Sequence, residues 1–181
     1  MHSNSPRVVG VLALQGSFFE HAKMIRELGC EARLVRSMED TADLSACILP
    51  GGESTTLMGL LSETGLEEWL SASAKSGLPI FGTCAGMIVL SKLGLIDIEV
   101  DRNAYGPQLH SFETAVDFQG KAFPGIFIRA PKIVKLGKSL EILAKERKTP
   151  VLVRQKNVMA GSFHPELTTD NRIHKFFIDT F

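Results

Sequence analysis

The 181-residue sequence has no surplus of charge, because 20 Lys and Arg residues balance 20 Asp and Glu. Phosphate binding draws on excess basic side chains, so no nucleic-acid partner is expected. Cysteine is scarce: Cys30, Cys47 and Cys84 are the only three. An odd, sparse set without metal-ligand spacing makes neither a disulfide framework nor a metal site, and reads as free thiols in a reducing compartment. Long apolar runs are missing too. Stretches such as Met87-Ile88-Val89-Leu90 fall far short of a membrane span. The opening residues, Met1-His2-Ser3-Asn4-Ser5-Pro6-Arg7, show no basic region followed by an apolar core, so no signal peptide is expected. Repeats, low-complexity tracts and internal linkers are absent. What remains is ordinary globular composition, 44% hydrophobic and 22% charged, which excludes a disordered chain. The length suits one domain, residues 1–181, with a core large enough to fold without staples. The expectation is a soluble cytoplasmic domain.

Val8 to Leu14 is a nearly continuous apolar run, the pattern of a strand buried on both faces. After the break at Gln15-Gly16-Ser17, Phe18, Ala22, Ile25 and Leu28 recur at helical spacing up to Gly29. Strands follow at Glu31 to Val35 and Ala46 to Leu49, helices at Thr55 to Leu61 and Leu66 to Lys75. A short strand at Pro79 to Phe81 leads into a helix from Ala85. This alternation predicts βαβ units and a mostly parallel sheet covered on both sides. From Ile96 to Lys145 the pieces are short and partly alternating: Ile96 to Val100, Phe112 to Phe118, Gly125 to Ile128 and Ile133 to Leu136. They predict a few added antiparallel strands. Val151 to Arg154 and Val158 to Phe163 form a hairpin across Lys156-Asn157, and Ile173, Phe176, Phe177 and Phe181 mark a closing amphipathic helix.

The chemistry concentrates where strands end. Gly82-Thr83-Cys84-Ala85-Gly86 puts a cysteine at a strand–turn–helix with glycines two residues to either side. The same spacing around a serine gives the nucleophile elbow of hydrolases. Such a turn lifts the sulfur out of the sheet's carboxyl edge, where open α/β folds bind ligands, and sets a helix N-terminus against it. An ordinary thiol is only about 3% thiolate at pH 7, so a base is needed. Phe163-His164-Pro165-Glu166 supplies one. In an extended segment residues two apart face the same side, so Glu166 can orient the His164 imidazole. The roles are Cys84 as nucleophile, His164 as base and then acid, and Glu166 as orienter. Pro50-Gly51-Gly52-Glu53-Ser54-Thr55 leaves a buried strand at the same edge. Its glycines allow a backbone N–H near an oxyanion, although a capped turn explains the residues nearly as well.

Together these segments resemble the class I, triad-type glutamine amidotransferases, and within them the glutaminase subunits of pyridoxal phosphate synthase. The resemblance runs in order over nearly the whole chain. It rests on Leu12 to Gly16 with Glu20-His21, Leu49 to Thr56, Phe81 to Gly86, Asp101 to Gly106, Ser111 to Glu113, Phe127 to Pro131 and Ser162 to Thr168. It implies a three-layer, flavodoxin-like fold and no cofactor or metal. It further implies hydrolysis of L-glutamine to glutamate and ammonia through a cysteinyl thioester, with the ammonia passed to a separate synthase subunit in a large hetero-oligomer. Glutamine contacts are implied for Gly51, Gly52, Glu53, Arg102, Ile128 and Arg129, and an oxyanion hole for Gly52 and Ala85. Free glutamine carries a carboxylate and an ammonium, which suit a guanidinium and a carboxylate. Arg102 or Arg129 and Glu53 have those charges; which group each meets stays open. Docking of the synthase is expected to order the oxyanion turn through Gln15-Gly16.

The sequence also departs from the family. Pro107 stands where Arg is usual, His110 where Asp is usual, Ala160-Gly161 replaces a Gly-Cys, and Ser91 to Gly94 is short. Cys30 and Cys47 read as small buried residues, and His21 as an interface or packing residue. A γ-glutamyl hydrolase using the same cysteine and histidine is the rival enzyme, and a non-catalytic regulatory subunit is the rival of another class.

Overall fold

The computed structural model describes residues 7–102 and 111–180. Five strands run parallel: β1 (Val8–Leu12), β2 (Glu31–Val35), β3 (Ala46–Leu49), β4 (Ile80–Thr83) and, last in the chain, β11 (Val158–Gly161). Their spatial order is β2-β1-β3-β4-β11, the flavodoxin-like winding expected. Helix α1 (Phe18–Glu27) links β1 to β2, and α2 (Ser54–Glu63) and α3 (Leu66–Lys75) link β3 to β4. Helix α4 (Ala85–Lys92) leaves β4, and α5 (Arg172–Asp179) closes the described chain. Phe181 lies outside the described residues.

Both faces of the parallel strands are covered, which explains their unbroken apolar runs. Val9, Val11 and Phe81 join Ala22, Ile25 and Phe177 in one buried cluster. Leu12, Leu49 and Ile80 join Leu57, Leu61, Leu70 and Met87 in another. Successive side chains of a strand point to opposite faces, so one sheet feeds two cores and the fold has three layers. No helix among the described residues is long and apolar enough to cross a membrane.

Four antiparallel strands continue the sheet beyond β11 in the order β10 (Thr149–Gln155), β9 (Glu141–Glu146), β6 (Phe112–Phe118) and β7 (Lys121–Phe127). The β10 (Thr149–Gln155) and β11 hairpin turns at Lys156-Asn157 as expected, with Gln155 opposite Val158 and Lys156 at φ 54°. Strand β6 (Phe112–Phe118) pairs with β7 (Lys121–Phe127), so the piece seen at Gly125 to Ile128 is the end of a longer strand. Strand β9 (Glu141–Glu146) was not legible in the sequence. Its only two buried side chains, Leu143 and Ala144, adjoin instead of alternating, and the apolar residue beside them, Ile142, is exposed. Register shifts where it meets β10 allow that. Strands β5 (Ile98–Asp101) and β8 (Lys132–Leu136) form a separate antiparallel pair.

The elbow between β4 and α4 depends on close backbone approach. A Cβ on Gly86 would lie 2.2 Å from the Leu49 carbonyl oxygen, and one on Gly82 would lie 2.7 Å from the Gly86 carbonyl carbon. Two bare α-carbons thus let α4 start hard against β3 and β4. Gly86→Ala should therefore destabilise the protein by about 2–3 kcal/mol in urea unfolding, the cost of overpacking against backbone that cannot yield. Gly59, exposed in α2 with nothing within 4 Å of an added Cβ, is the contrast. Gly59→Ala should leave stability unchanged or raise it by up to about 1 kcal/mol.

Candidate active site

In the order β2-β1-β3, the chain leaves β1 toward one side and β3 toward the other, which opens a crevice at their carboxyl ends. A cleft of about 360 Å³ lies there, lined by residues following β1 (Gly16, Ser17), β3 (Gly51 to Ser54) and β4 (Cys84, Ala85). Its volume falls in the range of small-molecule sites. His164, Arg102, Ile128 and Arg129 are also part of its wall. The structure thus brings together every site residue named from sequence, with Glu166 behind the wall. The Asn103 to Gly106 stretch, Pro107 and His110 lie outside the described residues.

Cys84 sits at φ 49°, ψ −107°, a left-handed strained conformation for a side-chain-bearing residue. Its N–H donates to Gly161 O at 2.8 Å, which ties the turn to β11. That strand also delivers His164, whose own N–H donates to Ile126 O at 2.8 Å. Cys84 and His164 converge on one glycine: a Cβ on Gly51 would lie 3.2 Å from Cys84 Cβ and 2.4 Å from His164 Cε1. The Cys84 thiol donates to Ile128 O at 3.9 Å. Helix α4 begins at the next residue, and the N–H groups of a first helical turn have no intrahelical partner. Such groups favour negative charge on sulfur or on an oxyanion beside it.

His164 Nδ1 and Glu166 Oε1 are 2.7 Å apart. With Nδ1–H donating to the carboxylate, the other ring nitrogen is free to take a proton from the thiol. Burial alone would keep the imidazole neutral. The hydrogen bonds with Cys84 and Glu166 and the charge of Glu166 outweigh it, and raise its pKa to about 10. Glu166 is nearly inaccessible, and burial alone would push its pKa up. The charge that His21 carries when protonated, the hydrogen bond and charge of His164 and the Ser17 hydroxyl hold it down at about 2.

Two of these partners were not identified as site residues from the sequence. Ser17 Oγ donates to Glu166 Oε1 at 2.6 Å. His21 Nε2 lies 3.4 Å from Glu166 Oε2, with no exposure on either side chain. The reading of His21 as a packing residue accounts for its burial and misses its neighbour. The available signal was local: residues 17 and 21 are four apart at the start of a helix and share a face.

The residues expected to meet glutamine are arranged more economically than their charges alone implied. The Glu53 carboxylate caps α2, accepting from the N–H groups of Thr55 at 3.0 Å and Thr56 at 2.7 Å. Those hydrogen bonds lower its pKa to about 2. It also accepts from Arg102 Nη2 at 3.0 Å, so these opposite charges face one another across the cleft wall. Arg129 is held at φ 44°, with Ile128 turning its carbonyl to the thiol. Gln15 and Gly16 do lie beside Gly51-Gly52, as expected. A Cβ on Gly16 would lie 1.6 Å from Gly51 O, and Glu53 N–H donates to Gln15 Oε1 at 3.3 Å. Among the described residues, no cluster of three or more His, Cys, Asp or Glu side chains is placed to hold a metal.

Residues 11–181 match the SNO glutamine amidotransferase family. The chain is 47% identical to the pyridoxal 5'-phosphate synthase subunit PdxT of Thermosipho africanus, over 94% of this chain and 97% of that one. It is 51% identical to the PdxT subunit of Dehalococcoides mccartyi strain BAV1, over 94% and 95%. A crystal structure of a glutamine amidotransferase superposes with a TM-score of 0.90 at 47% identity, covering 94% of this chain and 97% of the other.

The depressed pKa of Glu166 links the site to stability. A carboxylate lowered from 4.5 to about 2 on folding contributes stability that is complete above pH 4.5 and is lost as pH falls toward about 2. Urea unfolding of the native chain should show that loss between those values. Glu166→Gln, which cannot titrate, should show a shallower decline over the same interval.

Proposed function

This chain belongs to the SNO glutamine amidotransferase family, and from that premise we propose that it is the glutaminase subunit of a pyridoxal phosphate synthase. It hydrolyses L-glutamine to L-glutamate and ammonia. The observation that carries this reading is the buried Glu166–His164 pair beside a strained cysteine at the crevice edge. The subunit names of its relatives supply the pathway.

In this mechanism the Cys84 sulfur gives its proton to His164 and attacks the side-chain amide carbon of glutamine. The oxygen of the tetrahedral adduct is met by backbone N–H groups at Gly52 and at Ala85, where α4 begins. His164 passes its proton to the departing nitrogen, ammonia leaves, and a thioester joins the glutamyl group to Cys84. Water, deprotonated by His164, attacks the thioester; the sulfur departs and glutamate is released. Glu166 holds the imidazole in one tautomer and stabilises the imidazolium at both stages.

The substrate's charged end is assigned to Glu53, Arg102 and Arg129. For glutamine's ammonium to reach Glu53, the Arg102–Glu53 contact has to rearrange, which frees the guanidinium for the carboxylate. Ammonia shed into neutral water becomes mostly ammonium, which is not nucleophilic, so the synthase subunit docks over the crevice and accepts it directly. We read residues 1–181 as one glutaminase domain that works in a reducing cytoplasm, a reading supported by its odd, sparse set of three cysteines.

Cys84→Ala should lower ammonia release from glutamine by about a thousandfold or more while the far-UV circular dichroism stays native. Turnover within tenfold of the parent would remove Cys84 from the nucleophile's role. His164→Asn should lose at least about a hundredfold and slow iodoacetamide alkylation of Cys84 near neutral pH. An unchanged alkylation rate would mean that another group activates the thiol. Adding the synthase subunit should raise the glutaminase rate, and equal rates with and without it would refute the partner assignment.

A further inference from the structure

The Cys84–His164–Glu166 arrangement engages one oxygen of Glu166. His164 Nδ1–H and the Ser17 hydroxyl both donate to Oε1, at 2.7 and 2.6 Å. Oε2 is buried without a hydrogen-bond partner among the described residues. Facing it at 3.4 Å is Nε2 of His21, on the first turn of α1. Thr83 Oγ1, one residue before the nucleophile, lies 3.1 Å from the same nitrogen. On the far side of the ring, His21 Nδ1 is 2.9 Å from Nε2 of His174 in α5. Both histidines are fully buried.

Which nitrogen of His21 carries the proton decides whether the ring attracts the carboxylate or repels it. In one arrangement His21 is protonated at Nε2 and directs that N–H between Thr83 Oγ1 and Glu166 Oε2. His174 then donates its own Nε2–H to His21 Nδ1, and His174 Nδ1 is a bare lone pair. In the other, His21 donates from Nδ1 to His174 and turns a lone pair toward the ionised carboxylate. His174 would then carry a proton at Nδ1. That atom is buried and has no partner. A buried orphan N–H is rarer and costlier than an orphan acceptor, so the first arrangement prevails.

We propose that His21 is a positioning residue of the triad, a neutral imidazole that presents Nε2–H to the second oxygen of Glu166 and is held in that tautomer by His174. Burial keeps both rings uncharged, lowering the pKa of His21 and bringing that of His174 to about 3. The titratable groups facing His21 are Glu166 and His164, His174 from α5, and Glu20 from its own helix. A carboxylate restrained at Oε1 by two hydrogen bonds and at Oε2 by an N–H facing it from 3.4 Å resists rotation and protonation. It therefore keeps the His164 ring aligned and stabilises the imidazolium when the sulfur ionises. The assignment deepens the glutaminase reading above and rests on it.

The test uses the synthase-activated glutaminase and the alkylation of Cys84 by iodoacetamide across pH. His21→Leu should lower kcat by about tenfold, the weight of one charge-assisted hydrogen bond. KM for glutamine should stay within about twofold of the parent. The midpoint of Cys84 alkylation should move up by about one pH unit, since a less firmly held anion supports the imidazolium less. His21→Gln retains an N–H near the Nε2 position and should recover most of the rate and the original midpoint. In the unmodified protein, nitrogen-15 NMR of the histidine rings should find His21 protonated at Nε2 and bare at Nδ1. A His21→Leu enzyme with the parent kcat and alkylation profile, a His21→Gln enzyme as impaired as His21→Leu, or an Nδ1-protonated ring would each overturn the proposal. A parallel Cys84→Ala control separates the two levels: persistent ammonia release there sinks the glutaminase reading itself, whereas a dead control beside a fully active His21→Leu sinks the role of His21 alone.

Discussion

Glu166 is an ionised carboxylate with almost no contact with water, and much of the sheet edge is arranged around keeping it charged there. An uncompensated carboxylate in such a place costs several kcal/mol even after the surroundings relax. Donors must therefore converge on it from different parts of the chain. His164 arrives from the end of β11, and Ser17 and His21 from the start of α1. Shifting any of these elements by an ångström would leave the charge partly bare. The same contacts that stabilise the carboxylate thus set where α1 begins relative to β11, and with it the aim of the imidazole at Cys84.

Delivery of the sulfur poses a separate problem, solved by backbone. Strand β4 has to turn into α4 within one residue, and that residue, Cys84, adopts a strained left-handed conformation. Absence of a side chain at Gly82 and Gly86 lets the helix start against β3 and β4, and the Cys84 N–H to Gly161 hydrogen bond ties the turn to the strand that carries His164. The proposed nucleophile and base are therefore linked through adjacent strands of one sheet, a stiffer connection than two loops would provide. The glycines at Gly16 and Gly51 play the complementary part across the crevice, packing backbone on backbone beside Cys84 and His164.

The Glu53–Arg102 pair, which we propose receives the substrate's charged end, has a different character from the proposed triad. Glu53 and Arg102 are exposed and pair with each other, and Glu53 also serves as the cap of α2. An exposed ion pair contributes little to stability, so it can be exchanged for the opposite charges of an amino acid at small cost. The proposed catalytic carboxylate is buried and rigidly partnered, whereas the proposed recognition pair is open and exchangeable.

Much of this was legible in the order of residues. The alternation of apolar runs with helical spacing was enough for the βαβ winding, because each strand and helix is encoded by its own neighbours. Gly82-Thr83-Cys84-Ala85-Gly86 and His164-Pro165-Glu166 pointed to a nucleophile and an oriented base, since each motif's geometry is settled within five residues. Strand β9 escaped, because its two buried residues adjoin and its other apolar residue, Ile142, is exposed; only its partners β10 and β6 make it a strand. The second layer around Glu166 escaped for a deeper reason. Ser17 and Glu166 are 149 residues apart, and His21 and His174 are 153 apart. Local pattern determines elements and the chemistry held within a turn. Contacts between polar groups that distant are decided only when packing of the whole sheet leaves a buried oxygen facing a ring.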